Sequence, residues 1–308
     1  MAQDTSLVVG SAEAVLVGGA QRRGPRSFWL DTLVRLVRTK PLGLAGGIII
    51  LAMILIAIFA PLLAHYAPAD IHPKFKLIGP SSTWWFGTDN LGRDVYSRMV
   101  YGARISMRVG FSAVGISIVL ATAVGVVSGY FGGAFDTVVQ RLVDGLIAFP
   151  GLILILTIVA VLGNTINNII LALAIVLIAG NSRIMRSATL TVRSLTYIEA
   201  ARAMGASHRR IVLQHILPNV IATAITLATL GLGTAILAEA SLGFLGLGVP
   251  PPNPTWGNML SGQARQFMQQ APWLAVFPGV VLSLSIFGFN MLGDALRDVL
   301  DPRLRGSR

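Results

Sequence analysis

Six apolar stretches along the chain are long enough to fill a bilayer, and short polar segments separate them. The first covers about 43–64; about 22 residues rising about 1.5 Å each span roughly 33 Å, which matches the hydrocarbon core. The second covers about 107–130, the third 142–162, the fifth 219–239 and the sixth 273–293. The fourth is the shortest, built on "IILALAIVLIAG" before Asn181. Extending it to about Ser187 requires Arg183 and Arg186 to snorkel toward the surface. Pro278 predicts a kink in the sixth span. No period-two alternation interrupts this pattern, so the expected fold class is an all-α membrane protein.

Ahead of the first span, "RSFWLDTLVRLVRTK" places Trp29, Leu33, Leu36 and Val37 on one helical face and Arg35, Arg38 and Lys40 elsewhere. That is a basic amphipathic helix over 26–41, suited to lying on membrane lipid or to flanking the first span. Residues 1–25 are rich in Gly, Ala, Val and Ser without a period and read as a disordered tail. The expected organisation is then a first span plus extracytoplasmic segment over 42–106, a core of five spans over 107–293, and a C-terminal tail over 294–308.

Composition supports the bilayer as solvent. Mean hydropathy is +0.72 and only 12% of residues are charged, against about 25% in soluble domains. The net charge of +11 arises from basic residues scattered between apolar runs, not from one basic face, which excludes a nucleic-acid partner. With the N-terminus inside, the inner segments collect 17 Lys and Arg and the outer segments 7. This excess predicts that both termini are cytoplasmic. Trp84, Trp85, Trp256 and Trp273 then fall near the outer interface, where indole rings prefer to sit.

Several chemistries are excluded. The chain has no cysteine, and its four histidines, His65, His72, His208 and His215, lie outside the best apolar runs. No HExxH occurs, so neither a metal site nor an intramembrane hydrolase is expected. The spans are nearly acid-free, unlike those of an ion-coupled secondary transporter. The first twenty residues lack a basic segment followed by an apolar core, so no cleaved signal peptide is expected.

One segment between the fourth and fifth spans departs from the apolar pattern: "TYIEAARAMGASHRRIVLQHILPN", residues 196–219. Thr196 and Glu199 have capping-box spacing, so a helix should begin at Thr196. Ala200, Ala201 and Met204 form a small apolar face, and Gly205 interrupts the helix. Ser207 can cap a second helix carrying Ile211, Val212 and Ile216, and Pro218 marks entry into the fifth span. On physics alone this is either an ordinary connector or a helix–Gly–helix elbow that receives a partner protein.

The residues themselves decide between these. "EAARAMG" followed twelve residues later by "LP" resembles the EAA loop of ABC importer membrane subunits, with Glu199, Ala200, Ala201, Gly205, Leu217 and Pro218 in place. His215 stands where the general motif has isoleucine, and isoleucine follows at 216. "FGTDNLGRDVYSRMVYGARIS" (86–106), "EASLGFLGLGVPPPNPTWGNML" (239–260) and "NMLGDALRDVLDPRLR" (290–305) resemble the C-type permeases of the dipeptide, oligopeptide and nickel branch. The resemblance implies a type I importer permease fold in the bacterial inner membrane, with residues about 196–218 as a cytoplasmic coupling loop. It implies as partners a B-type permease, ATP-binding subunits (two, or one fused chain) and an extracytoplasmic substrate-binding protein. Cargo would be peptides, or nickel, a heme precursor or another small solute.

Further residues carry physical expectations. Thr88 or Asp89 can cap a helix in "TDNLGRD", Gly92 permits a turn, and Asp94 and Arg98 form an i, i+4 pair in a structured loop or a gate. Pro250 to Pro252 with Pro254 predicts a stiff extended strand anchored by Trp256; Pro251, Pro252 and Trp256 could meet a binding protein or simply hold a turn. Glu239 ends the fifth span and either answers a substrate ammonium or caps "SLGFLG". Asp136 and Asp144 flank Arg141 at the inner end of the third span. Lys40, Lys74 and Lys76 are the only lysines and none follows glycine, so the chain has no phosphate loop. No catalytic residue is expected, and the chain needs no cofactor of its own; ATP and Mg belong to partner subunits.

Overall fold

The computed structural model describes residues 39–300, so the expected interfacial helix over 26–41, apart from its last residues, and the tail over 1–25 lie outside the described residues. Helix α1 is Pro41–Ile58, and a short turn Ala60–Leu63 follows it. Pro41 sits in the first turn, where its missing N–H costs nothing. Helix α2, Val95–Phe131, is 37 residues long and begins twelve residues before the apolar run that predicted it. The Asp94 carboxylate caps it, accepting from the Ser97 backbone N–H at 2.9 Å. Val95, Met99, Ala103 and Met107 repeat at helical spacing and are all buried. Residues 95–106 are therefore continuous with the helix of the second span and packed into the bundle.

The third span is not one helix. It is α3, Gly133–Ile147, and α4, Gly151–Leu162, bent by 86°. The cause lies in Phe149–Pro150: proline offers no N–H and disfavours helical geometry in the residue before it. Pro150 takes ψ 124° as the N-cap of α4. Helix α5, Ile166–Arg193, is capped by Thr165 and runs six residues past the expected end. Arg183 and Arg186 pair with Asp144 and Asp136 of α3, because the bend swings α3 against α5 and brings two carboxylates to two guanidiniums.

Helix α6 is Thr196–Ala203, and α7 runs from His208 to Phe244 with a π-helical stretch Ile211–Ile216. The wider turn lies directly before Pro218, whose ring would otherwise press on the carbonyl four residues back. Two short helices, α8 (Trp256–Met259) and α9 (Gly262–Phe267), lead to α10, Trp273–Leu300. Helix α10 is continuous through Pro278, so residues 294–300, expected as tail, are helical.

The fold is all-α, and among the described residues the extended pairing is limited to the isolated bridge Thr88–Asp94. Five helices, α1, α2, α5, α7 and α10, are each long and apolar enough to cross a membrane, and the bent pair α3–α4, counted as one broken span, makes six. Their ends alternate. Lys40 before α1 pairs with Asp298 at the end of α10, so both ends of the described chain lie on one side. The start of α2 meets α8 through the Trp256 indole, which donates to the Met99 carbonyl at 3.2 Å. The end of α2 meets the start of α7 through Tyr130 and His208. Close packing of α2 on α5 depends on Gly125: a Cβ there would lie 2.6 Å from the Met185 Cβ and 2.7 Å from the Ser182 carbonyl.

Candidate functional site

The α6–α7 elbow is assembled from both its local sequence and its tertiary setting. Gly205 has φ +78°. Its N–H donates to the Arg202 carbonyl at 2.9 Å, and the Ala206 N–H donates to the Ala201 carbonyl at 3.0 Å. That pair of bonds is a Schellman stop, with glycine at the one position that needs a left-handed backbone. A Cβ at Gly205 would meet nothing within 4 Å, so conformation, not crowding within the chain, calls for glycine. Ser207 caps α7 as expected, accepting from the Arg210 N–H at 3.3 Å.

Two expectations for this loop need correction. The capping box does not form: the N-cap is Leu195, without a side-chain cap bond. The chain turns immediately after α5, so the Leu195 carbonyl already accepts from Ile198 at 2.9 Å and Thr196 lies inside the first turn. The residues expected as one face also divide into two. Ala201 and Ile198 turn inward, whereas Glu199, Ala200 and Met204 face out; Met204 is 82% exposed. Ile211 and Ile216 are fully buried with Ile198, Met185 and Val126. Leu217 is half-buried and Pro218 is exposed.

A clasp beneath the elbow was not legible in sequence. Tyr130, 3% exposed at the end of α2, hydrogen bonds through its hydroxyl to His208 Nδ1 at 2.7 Å. The Arg202 guanidinium lies 5.4 Å from the Tyr130 ring centroid. One aromatic side chain thus holds both arms of the elbow against a spanning helix. Its partners are about 70 to 80 residues away, beyond any spacing rule.

At the other end of α2 the expected Asp94–Arg98 pair is absent. An N-cap side chain turns back to the free N–H groups of the first turn, and Asp94 accepts from both the N–H and the hydroxyl of Ser97. Arg98 instead donates to the Pro68 carbonyl at 3.0 Å and approaches Asp89 at 3.9 Å. Asp89 does not cap the helix; it accepts from the Leu91 and Arg93 N–H groups and pairs with Arg93 Nε at 2.7 Å. Thr88 caps nothing either: it accepts from the Ile78 N–H at 2.9 Å and donates to the Phe75 carbonyl. Gly92, at φ +80°, makes the expected turn.

The proline run is a turn, not an extended strand, with the Pro251–Pro252 bond cis; both prolines are exposed. Trp256 is not an interface anchor. It is fully buried, packed over Gly102, because an indole donor in the helix core is satisfied by the Met99 carbonyl. Trp84 is likewise buried and Trp85 is exposed, while Trp273 is half-buried and donates to the Thr88 carbonyl at 3.2 Å. Glu239 lies inside α7, five residues before its end, and is fully buried. It accepts from the Ser106 hydroxyl at 3.0 Å, tying α7 to α2. Among the described residues no group of three potential ligands could hold a metal ion.

The sequence matches known proteins. A family model for the binding-protein-dependent transport system inner membrane component covers residues 121–306. A second, for the N-terminal membrane domain of oligopeptide transport permease C, covers residues 27–80. The dipeptide transport system permease protein of Alkalihalophilus pseudofirmus is 47% identical over 279 residues, 91% of each chain. The glutathione transport system permease protein of Escherichia coli is 42% identical over 293 residues, 94% of this chain and 95% of that one. That of Pectobacterium atrosepticum is 40% identical over 281 residues. A bundle of membrane-length apolar helices, a Gly-stopped elbow carrying Glu199 and Gly205, and similarity over nine-tenths of the length lead to one conclusion: the chain belongs to the binding-protein-dependent transport system inner membrane components, as a permease subunit of an ABC importer.

Proposed function

We propose that this permease pairs with a related B-type permease to form the translocation path for peptides, in the bacterial inner membrane, with both termini cytoplasmic. An extracytoplasmic binding protein delivers the cargo, and two ATP-binding subunits, separate or fused, drive the cycle. The observation that carries this reading is the division of the elbow. Its inner residues, Ile198, Ala201 and Ile211, are locked into the spans, while Glu199, Ala200 and Met204 stand out on a helix with room around Gly205. A surface so anchored moves the spans when a partner moves it. The similarity to dipeptide and glutathione permeases supports peptide cargo. The charge excess supports the side: elbow, start of α1 and end of α10 share the basic end.

The lack of a phosphate loop in the sequence supports ATP and Mg acting on partner chains. The test is reconstitution of this chain in proteoliposomes with its B-type partner, ATPase subunits and binding protein. Labelled dipeptide should accumulate only with ATP and all components, and the permease pair alone should hydrolyse no ATP. Hydrolysis by this chain alone, or import without the ATPase subunits, would overturn the reading. Uptake of nickel in place of dipeptide would correct the cargo and leave the architecture intact.

A further inference from the structure

At the end of the bundle opposite the elbow, a cavity of about 410 Å³ lies between the start of α2, the end of α7 and the proline turn. Its wall contains two guanidiniums, Arg93 and Arg98, with the amides of Asn164, Asn253 and Asn258 and the hydroxyl of Ser261. No carboxylate and no lysine lines it. Asp89 borders an adjoining smaller cavity, which shares Arg98 and Asn258 with the first.

Arg98 is the unusual member. Its side chain is 10% exposed, which for a guanidinium demands compensation. Asp89 is engaged mainly by Arg93, at 2.7 Å, and comes no nearer than 3.9 Å to Arg98, beyond hydrogen-bond range. The hydrogen bond that Arg98 makes through its side chain is to the Pro68 carbonyl, from Nη1. A guanidinium has five N–H donors. Its Nε is the atom nearest Asp89, and the side chain lines the larger cavity as well as the smaller one. A nearly buried guanidinium with most of its donors outside hydrogen-bond range of a partner therefore lines a cavity whose wall offers no anion.

We propose that this cavity is a carboxylate subsite for the translocated peptide, with Arg98 receiving the terminal carboxylate and Arg93 adding charge. The inference rests on the peptide reading above. Forked N–H donors match a carboxylate's two oxygens, and the volume falls within the range of small-ligand sites, roughly 300–1,000 Å³. Gly246 also lines the wall, and a Cβ there would meet nothing within 4 Å, which leaves room for a peptide backbone. With no acid in the wall, the site reads the carboxylate end and leaves the ammonium end free.

The chain has no cysteine, so Ser261→Cys places a single thiol of this subunit in the cavity wall. The assembled complex in nanodiscs, without binding protein, is treated with an anionic and a cationic methanethiosulfonate reagent. The anionic reagent should react about three- to tenfold faster, reflecting the local positive potential. A dipeptide with a free C-terminus should slow the reaction, and the same dipeptide amidated should not. Arg98→Gln should weaken the anion preference, leaving what Arg93 supplies, and abolish the protection. Arg98→Lys should retain the preference and lose most of the protection, because an ammonium keeps the charge without the fork. If Arg98→Gln fails to assemble, Arg98→Lys and the comparison of acid with amide on the Ser261→Cys complex still decide. Equal protection by acid and amide, no reagent preference, or a thiol that neither reagent reaches would overturn the inference while ATP-driven dipeptide import by the native complex leaves the peptide reading standing. Absence of that import would overturn both.

Discussion

Replacing Gly205 separates two reasons for a glycine at an elbow. Its φ of +78° costs an ordinary L-residue about 1–2 kcal/mol, and asparagine tolerates such a stop better than other side chains. A Cβ there meets nothing within 4 Å, so the chain itself adds no clash to that cost. Strain of 1–2 kcal/mol shifts the elbow out of its formed geometry by up to about 5- to 30-fold. Gly205→Asn should therefore stay near native, Gly205→Ala should lose activity in part, and Gly205→Val should lose most of it, since β-branching adds to the strain. The assay is ATP hydrolysis by the reconstituted complex, stimulated by loaded binding protein, read beside dipeptide uptake; membrane insertion should be normal throughout. Loss as severe for Asn as for Val would show that a partner's close approach, not backbone geometry, requires glycine. Full activity of Gly205→Val would refute a coupling role and reduce the elbow to a connector.

Three further outcomes follow from the packing. Gly125→Val should destabilise the α2–α5 contact by about 1–3 kcal/mol, since its Cβ lies 2.6 Å from the Met185 Cβ and 2.7 Å from the Ser182 carbonyl; a lower thermal aggregation temperature in detergent checks this, and an unchanged one contradicts it. Tyr130→Phe keeps the ring under Arg202 but deletes the 2.7 Å contact to His208, a loss of about 0.5–1.5 kcal/mol; more ATP hydrolysed per peptide imported is the expected signature, and an unaltered ratio counts against the clasp. Single cysteines at Pro80 and Met204, both exposed, should label from outside and only after permeabilisation, respectively; labelling of position 204 in intact cells would reverse the topology.

The apolar runs alone located the membrane-length segments, because a bilayer demands about 20 apolar residues per helix whatever the partners. The elbow was also legible, since a left-handed stop and a serine cap are local devices whose signals lie within a few residues: Gly205 and Ser207 stand where their backbone roles require. What was not legible depended on distance along the chain. Pro150 could have warned of the broken third span, but the 86° bend matters because it carries Asp136 and Asp144 to Arg186 and Arg183 of α5, which hydropathy assigns to a membrane surface. Asp94 and Arg98 have ideal helical spacing, yet the tertiary structure makes one a cap and turns the other toward Asp89, the Pro68 carbonyl and a cavity. Trp256 reads as an interface residue because indoles favour that zone, and only the space over Gly102 and the Met99 carbonyl make a buried position cheaper. Local sequence decides devices such as the Gly205 stop and the Ser207 cap. Which polar group satisfies which is decided by whole helices meeting, and so it appears only when the bundle is assembled.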